Sequence, residues 1–98
     1  MKYKINTLNS AFLDIKEIKQ YLKQFYPSTV KRFVESYKQQ TTRLKNNPYI
    51  CERYIDDPDY RRLVMGDYLV FYKVYEEKKM IEIHRVLHGA RDAKRHLD

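Results

Sequence analysis

Cysteine, glycine and proline are scarce in this chain, at one, two and three of 98 residues, and tryptophan is absent. The lone Cys51 excludes an intrachain disulfide, fits a reducing compartment, and reads as an ordinary thiol because no catalytic signature surrounds it. No apolar run approaches the roughly 20 residues that a membrane helix needs. The N-terminal residues alternate polar with apolar instead of forming a signal-peptide core. A cytoplasmic protein with no membrane partner is therefore expected. Repeats, low-complexity tracts and linkers are also missing, so residues 1–98 read as one domain with a single modest core.

Positive charge, tyrosine and β-rich runs are what the chain has. The formal net charge is +7. Residues 1–50 contribute +7, residues 51–60 contribute −3 and residues 61–98 contribute +3. Such a basic surface attracts RNA, DNA or an acidic protein by long-range steering, although a charged helical face is also commonly just solvated. Ten tyrosines are more than a core of this size hides with every hydroxyl satisfied, so some are expected at the surface.

Alternation predicts a short strand over residues 2–7. Asn9 or Ser10 then offers an N-cap oxygen, and Asp14 a carboxylate complementing the dipole in the first helical turn. Ala11, Ile15, Ile18, Leu22 and Phe25 recur at helical spacing and predict one buried stripe. Pro27 breaks the chain and opens a second helix over residues 28–45, whose stripe is Val30, Phe33, Val34, Tyr37, Thr41 and Leu44. Asn46, Asn47 and Pro48 end it. Residues 48–59 read as a loop. Its acidic trio, Asp56, Asp57 and Asp59, is turn chemistry more than a metal site, since no regular ligand set accompanies it.

Three apolar runs follow, residues 63–65, 68–75 and 80–87, split by Gly66-Asp67 and by Glu76 to Lys79. They read as an antiparallel meander, with the middle run apolar on both faces and hence central. Gly89 marks the exit from the last strand, and residues 90–97 form a short helix or a tail. The expected architecture is α+β: an N-terminal strand, an αα-hairpin, and a three-stranded meander, with the helices on one face of a small, mainly antiparallel sheet.

The stretch from Arg62 to Val74, with Gly66, Tyr68 and Tyr72 at its centre, and the closing Ile83 to Asp92, which reads Arg85-Val86-Leu87-His88-Gly89-Ala90-Arg91-Asp92, resemble the RelE/ParE superfamily of bacterial toxins. The preceding helix hairpin matches in position and length, so the resemblance spans nearly the whole chain. It implies a toxin of a type II toxin–antitoxin module, neutralised by a cognate antitoxin protein, as a homodimer or a toxin–antitoxin heterotetramer. The ending resembles the ParE-like branch more, which implies inhibition of DNA gyrase. A RelE-like messenger RNA endoribonuclease is the alternative, acting on mRNA with or without the ribosome. A degenerate antitoxin-binding module without toxicity is a third.

A nuclease needs cations to stabilise a phosphorane-like transition state, with an acid and a base in reach. Arg62, His88 and Arg91, assisted by Arg61 or Arg85, are the residues that would supply them, and His96 could take part. Two departures argue against that chemistry: Leu69 stands where many RelE-like nucleases carry arginine, and no tyrosine follows Tyr75. For target or antitoxin binding the candidates are Arg61, Arg62, Tyr72, His84, Arg85, His88 and Arg91. Arg61 and Arg62 alternate in direction, so only one shares a face with Arg85 or Arg91. Arg85 otherwise faces solvent or pairs with an acid such as Glu82 or Asp92. On a regular strand His84 and His88 point to one face, too far apart for a shared metal. No metal or other cofactor is expected.

Overall fold

The computed structural model describes residues 2–90, and Arg91, Asp92 and His96 lie outside them. The elements are β1 (Lys4–Thr7), α1 (Asn9–Lys23), α2 (Pro27–Asn46), β2 (Arg61–Met65), β3 (Tyr68–Tyr75) and β4 (Met80–His88). They form a four-stranded sheet in the order β1-β4-β3-β2. Pairing is antiparallel between β2, β3 and β4, and β1 joins parallel to β4, Lys4 opposite Met80 and Thr7 opposite Ile83. The expected meander, the helix hairpin and the central place of β3 are all present. Among the described residues no helix is long and apolar enough to cross a membrane.

The helix stripes do most of what their spacing predicts. Ala11, Ile18, Phe33, Thr41 and Leu44 are buried, while Ile15, Leu22, Val34 and Tyr37 pack partly covered against the same cluster. Phe25 departs from the pattern. It lies beyond the end of α1, is 56% exposed, and meets Tyr21 edge to face. The hairpin's helices cover the sheet face made by Leu63, Met65, Tyr68, Val70, Tyr72, Ile81, Ile83 and Val86. Each fully buried aliphatic residue there contributes about 1.5–3 kcal/mol.

Neither Asn9 nor Ser10 caps α1; Leu8 occupies that position without a side-chain cap bond. The reason lies in the sheet. β1 ends at Thr7, opposite Ile83, so the rest of β4 would present an unpaired edge, which costs free energy if its polar groups are buried. The first turns of α1 supply that edge with partners. The Ser10 hydroxyl donates to the His84 carbonyl (2.7 Å), and Asp14 Oδ2 accepts the Val86 N–H (3.0 Å). Asp14 is accordingly buried instead of serving the helix dipole.

Gly66 adopts φ +60° at the two-residue β2–β3 turn, the left-handed conformation that such hairpins require and glycine tolerates. At the other end of β3 a polar clasp forms: Tyr3, Tyr49 and Lys79 all donate to the Glu76 carboxylate. These bonds, Lys79's foremost, hold Glu76 down to about 2.

Candidate functional site: the open face of the sheet

The face of the sheet away from the helices carries a second, smaller apolar cluster of Tyr60, Phe71 and Leu87, with Tyr54 and Leu69 packed against it. The loop before β2 reaches it by turning around the β2 edge. At one end the Pro48 carbonyl accepts the Tyr72 hydroxyl from the helix side (2.8 Å). At the other, the Tyr54 N–H donates to the Tyr60 carbonyl (2.8 Å), and the Tyr54 ring meets Phe71 edge to face at 5.1 Å.

Cations and one histidine stand over these rings. The Arg62 guanidinium lies 5.6 Å from the Tyr54 ring centre and the Lys73 ammonium 4.6 Å from that of Tyr60. His84 meets Tyr60 edge to face at 5.1 Å, with Nδ1 at 3.5 Å from its hydroxyl, while Nε2 lies 3.1 Å from Glu82 Oε1. Glu82 pairs across the strands with Lys73. The face thus combines an imidazole, a carboxylate, a phenol, an ammonium and a guanidinium within one patch. It can donate to and accept from a partner's polar groups around an apolar centre.

Several candidates sit elsewhere than the sequence suggests. The β3–β4 register shifts between Phe71, opposite Arg85, and Tyr72, opposite Ile83, so His84 is an extra residue in β4. A bulge of this kind inverts the alternation beyond it. His84 and His88 therefore do not share a face, contrary to the regular-strand expectation. His84 joins Tyr60 on the open face, while His88 packs edge to face on Tyr68, at 5.3 Å, on the helix side.

Arg85 does pair with an acid, but the partner is Asp14 on α1 and not Glu82. Its Nε and Nη2 donate to Asp14 Oδ2 and Oδ1 at 2.7 and 3.0 Å, a bidentate pair that binds β4 to α1. Tyr72 is fully buried and is corrected from binding candidate to core residue; burial raises its hydroxyl's pKa above the ordinary tyrosine value. Arg62, opposite Phe71, belongs to the open face, and Arg61, opposite Tyr72, to the other. Arg61 donates from Nη1 to the Cys51 carbonyl (2.7 Å) and lies over the Tyr49 ring. Lys73 and Tyr60 are not among the candidates read from the sequence, and Glu82 enters there only as a partner for Arg85. Their signal was the alternation of β3 itself, which sets Lys73 on the face of Phe71.

A model of the ParE toxin of type II toxin–antitoxin systems, parDE, matches residues 5–93. The chain belongs to the ParE toxin family. No curated protein matches it in sequence. Among solved structures this ParE-family chain is similar to a toxin–antitoxin structure described as a chromosomal ParDE system from P. aeruginosa, at 18% identity and TM-score 0.75, covering 89% of this chain and 96% of that one. It is also similar to a mutant of E. coli RelE in the free state, at 19% identity, TM-score 0.67 and coverage of 95% and 90%. A third similar structure is the RelBE2 complex of Mycobacterium tuberculosis, at 18% identity and TM-score 0.63, covering 90% and 99%. At these identities the structural likeness shows the RelE/ParE toxin fold, and the family match makes the chain a type II toxin of the RelE/ParE superfamily.

Proposed function

We propose that this ParE-family toxin acts by binding DNA gyrase, not by cleaving RNA, and that a cognate antitoxin protein neutralises it. The observation that carries this reading is the separation of those expected nuclease residues that the structure describes, Arg91 lying outside them. Arg62 lies over Tyr54 on the open face, His88 packs on Tyr68 among the helix-side residues, and Arg85 is bound to Asp14. An acid, a base and a phosphate-binding cation must converge within hydrogen-bond reach of one scissile group, and these three do not. A face of buried and partly covered aromatic rings with cations above them is instead the composition of a protein-binding patch. The ParDE and RelBE2 structures it resembles are themselves toxin–antitoxin systems, which supports an antitoxin partner here.

RNA cleavage is the second reading, and one observation favours it: Glu82 beside His84 Nε2 leaves Nδ1 facing the Tyr60 hydroxyl, with Lys73 and Arg62 on the same face. Side-by-side assays of gyrase supercoiling and of mRNA cleavage, with and without ribosomes, separate the two. Inhibited supercoiling with intact RNA is expected. RNA cleavage that disappears in a folded His84→Gln variant would sink the gyrase reading, and inactivity in both assays would leave a module that only binds its antitoxin.

A further inference from the structure

The loop that turns around β2 places Arg53 directly opposite Arg61 in an isolated antiparallel bridge. Residues so opposed send their side chains to one face with β-carbons about 5 Å apart, where like charges destabilise. Among the described residues no carboxylate forms an ion pair with either guanidinium. Both line a shallow surface depression together with Tyr49, Pro58, Asp59 and Val74, where Asp59 forms no ion pair with either.

One of the two arginines is already fixed in place. Arg61 Nη1 donates to the Cys51 carbonyl, and its guanidinium lies 5.0 Å from the centre of the Tyr49 ring, which is anchored in turn by its hydroxyl on Glu76. A guanidinium has five N–H donors, so Arg61 keeps most of its donors while its orientation is set. Arg53 is exposed and can close from the opposite strand.

We infer that the depression between Arg53 and Arg61 is an oxyanion site that takes a phosphate group of a nucleic-acid backbone. Two guanidiniums stand side by side on one face, one carried by each strand. A planar carboxylate is satisfied by one guanidinium fork, whereas a tetrahedral phosphate offers diverging oxygens to both. An anion there also removes the repulsion across the bridge. The depression is open enough for a group carried on a polymer, and the +7 chain draws polyanions toward it. The site is separate from the open face and does not depend on the gyrase reading.

The test titrates full-length protein first with inorganic phosphate and then with a short DNA duplex, following the Nε–H signals of Arg53 and Arg61 by NMR. Anisotropy of the labelled duplex is measured in parallel across salt. Saturable shifts of both signals with phosphate, and displacement of phosphate by duplex, are expected. Arg53→Gln is expected to weaken duplex binding about threefold or more and to lower the salt slope by roughly one contact, while Arg53→Lys recovers part of the loss. Lys31→Gln, which removes the same charge from an exposed position on α2, is expected to do less. Arginine signals unmoved by phosphate would overturn the site. So would equal losses in the Arg53→Gln and Lys31→Gln variants. Phosphate displaced by an acidic peptide but not by duplex would overturn the nucleic-acid source.

Discussion

The two faces of the sheet are built from the same strands and spend their residues differently. On the helix side Val70, Tyr72, Ile81, Ile83 and Val86 are closed over almost completely, and two of the polar groups that enter, Asp14 and the Tyr72 hydroxyl, are tied to partners on other elements. On the other side Tyr60, Phe71 and Leu87 are covered by a loop, and charged side chains with long stems stand over the rings. The first arrangement holds the molecule together. The second leaves polar tips and partly covered Tyr54 and Leu69 at the surface around a covered apolar centre, which suits an interface. A substitution should therefore cost folding free energy on one face and binding on the other.

The sharpest way to break the helix side is at Asp14. Its carboxylate is the partner of both Arg85 and the Val86 N–H, across 71 and 72 residues of chain. Asp14→Ala removes the bidentate acceptor of a mostly buried guanidinium and the acceptor of an edge N–H together, and should destabilise by about 3–5 kcal/mol in urea denaturation. Replacing both partners, Asp14→Leu with Arg85→Met, should return part of this but not all. The Val86 N–H stays unpaired, at about 1–3 kcal/mol. Full recovery by the double variant would show that Asp14 serves the ion pair alone and that α1 does not protect the sheet edge.

Tyr72→Phe is the next largest. It preserves the ring in the core and removes only the hydroxyl that donates to the Pro48 carbonyl. The expected loss is about 1–3 kcal/mol, since the acceptor stays buried without its donor. Because that bond anchors the start of the loop, hydrogen exchange at the Tyr54 N–H should quicken as well. A stability loss with unchanged exchange there would mean that the loop is held from the open face alone.

These two sites also mark the limits of sequence reading. The helix hairpin, the turn at Gly66-Asp67 and the central place of β3 were legible because each depends on local periodicity and turn chemistry. Asp14 reads locally as a carboxylate serving the dipole of the first helical turn because its real partners lie on β4, far along the chain, and no local pattern couples them. The parallel pairing of β1 with β4 was hidden for the same reason. His84 and His88 were given one face because a strand alternates strictly until a bulge adds a residue, and nothing in Ile83-His84-Arg85 announces one. The candidate site was thus legible as residue types in the C-terminal half of the chain, and not as an arrangement.

The smallest expected effect on stability tests the open face. Lys73 stands over the Tyr60 ring and opposite Glu82, and a partly exposed cation–π contact is worth about 0.5–1 kcal/mol. Lys73→Ala should therefore shift the urea midpoint little, and Arg62→Ala, over the Tyr54 ring, no more. Their combination should leave the fold intact and weaken inhibition of the cellular target well beyond the loss of stability. This asymmetry is what separates a binding face from a second core. If the double variant instead unfolded as readily as Asp14→Ala while a folded remainder kept full inhibition, the cations would be a structural roof over Tyr54 and Tyr60. The target would then have to be sought on another surface of the toxin.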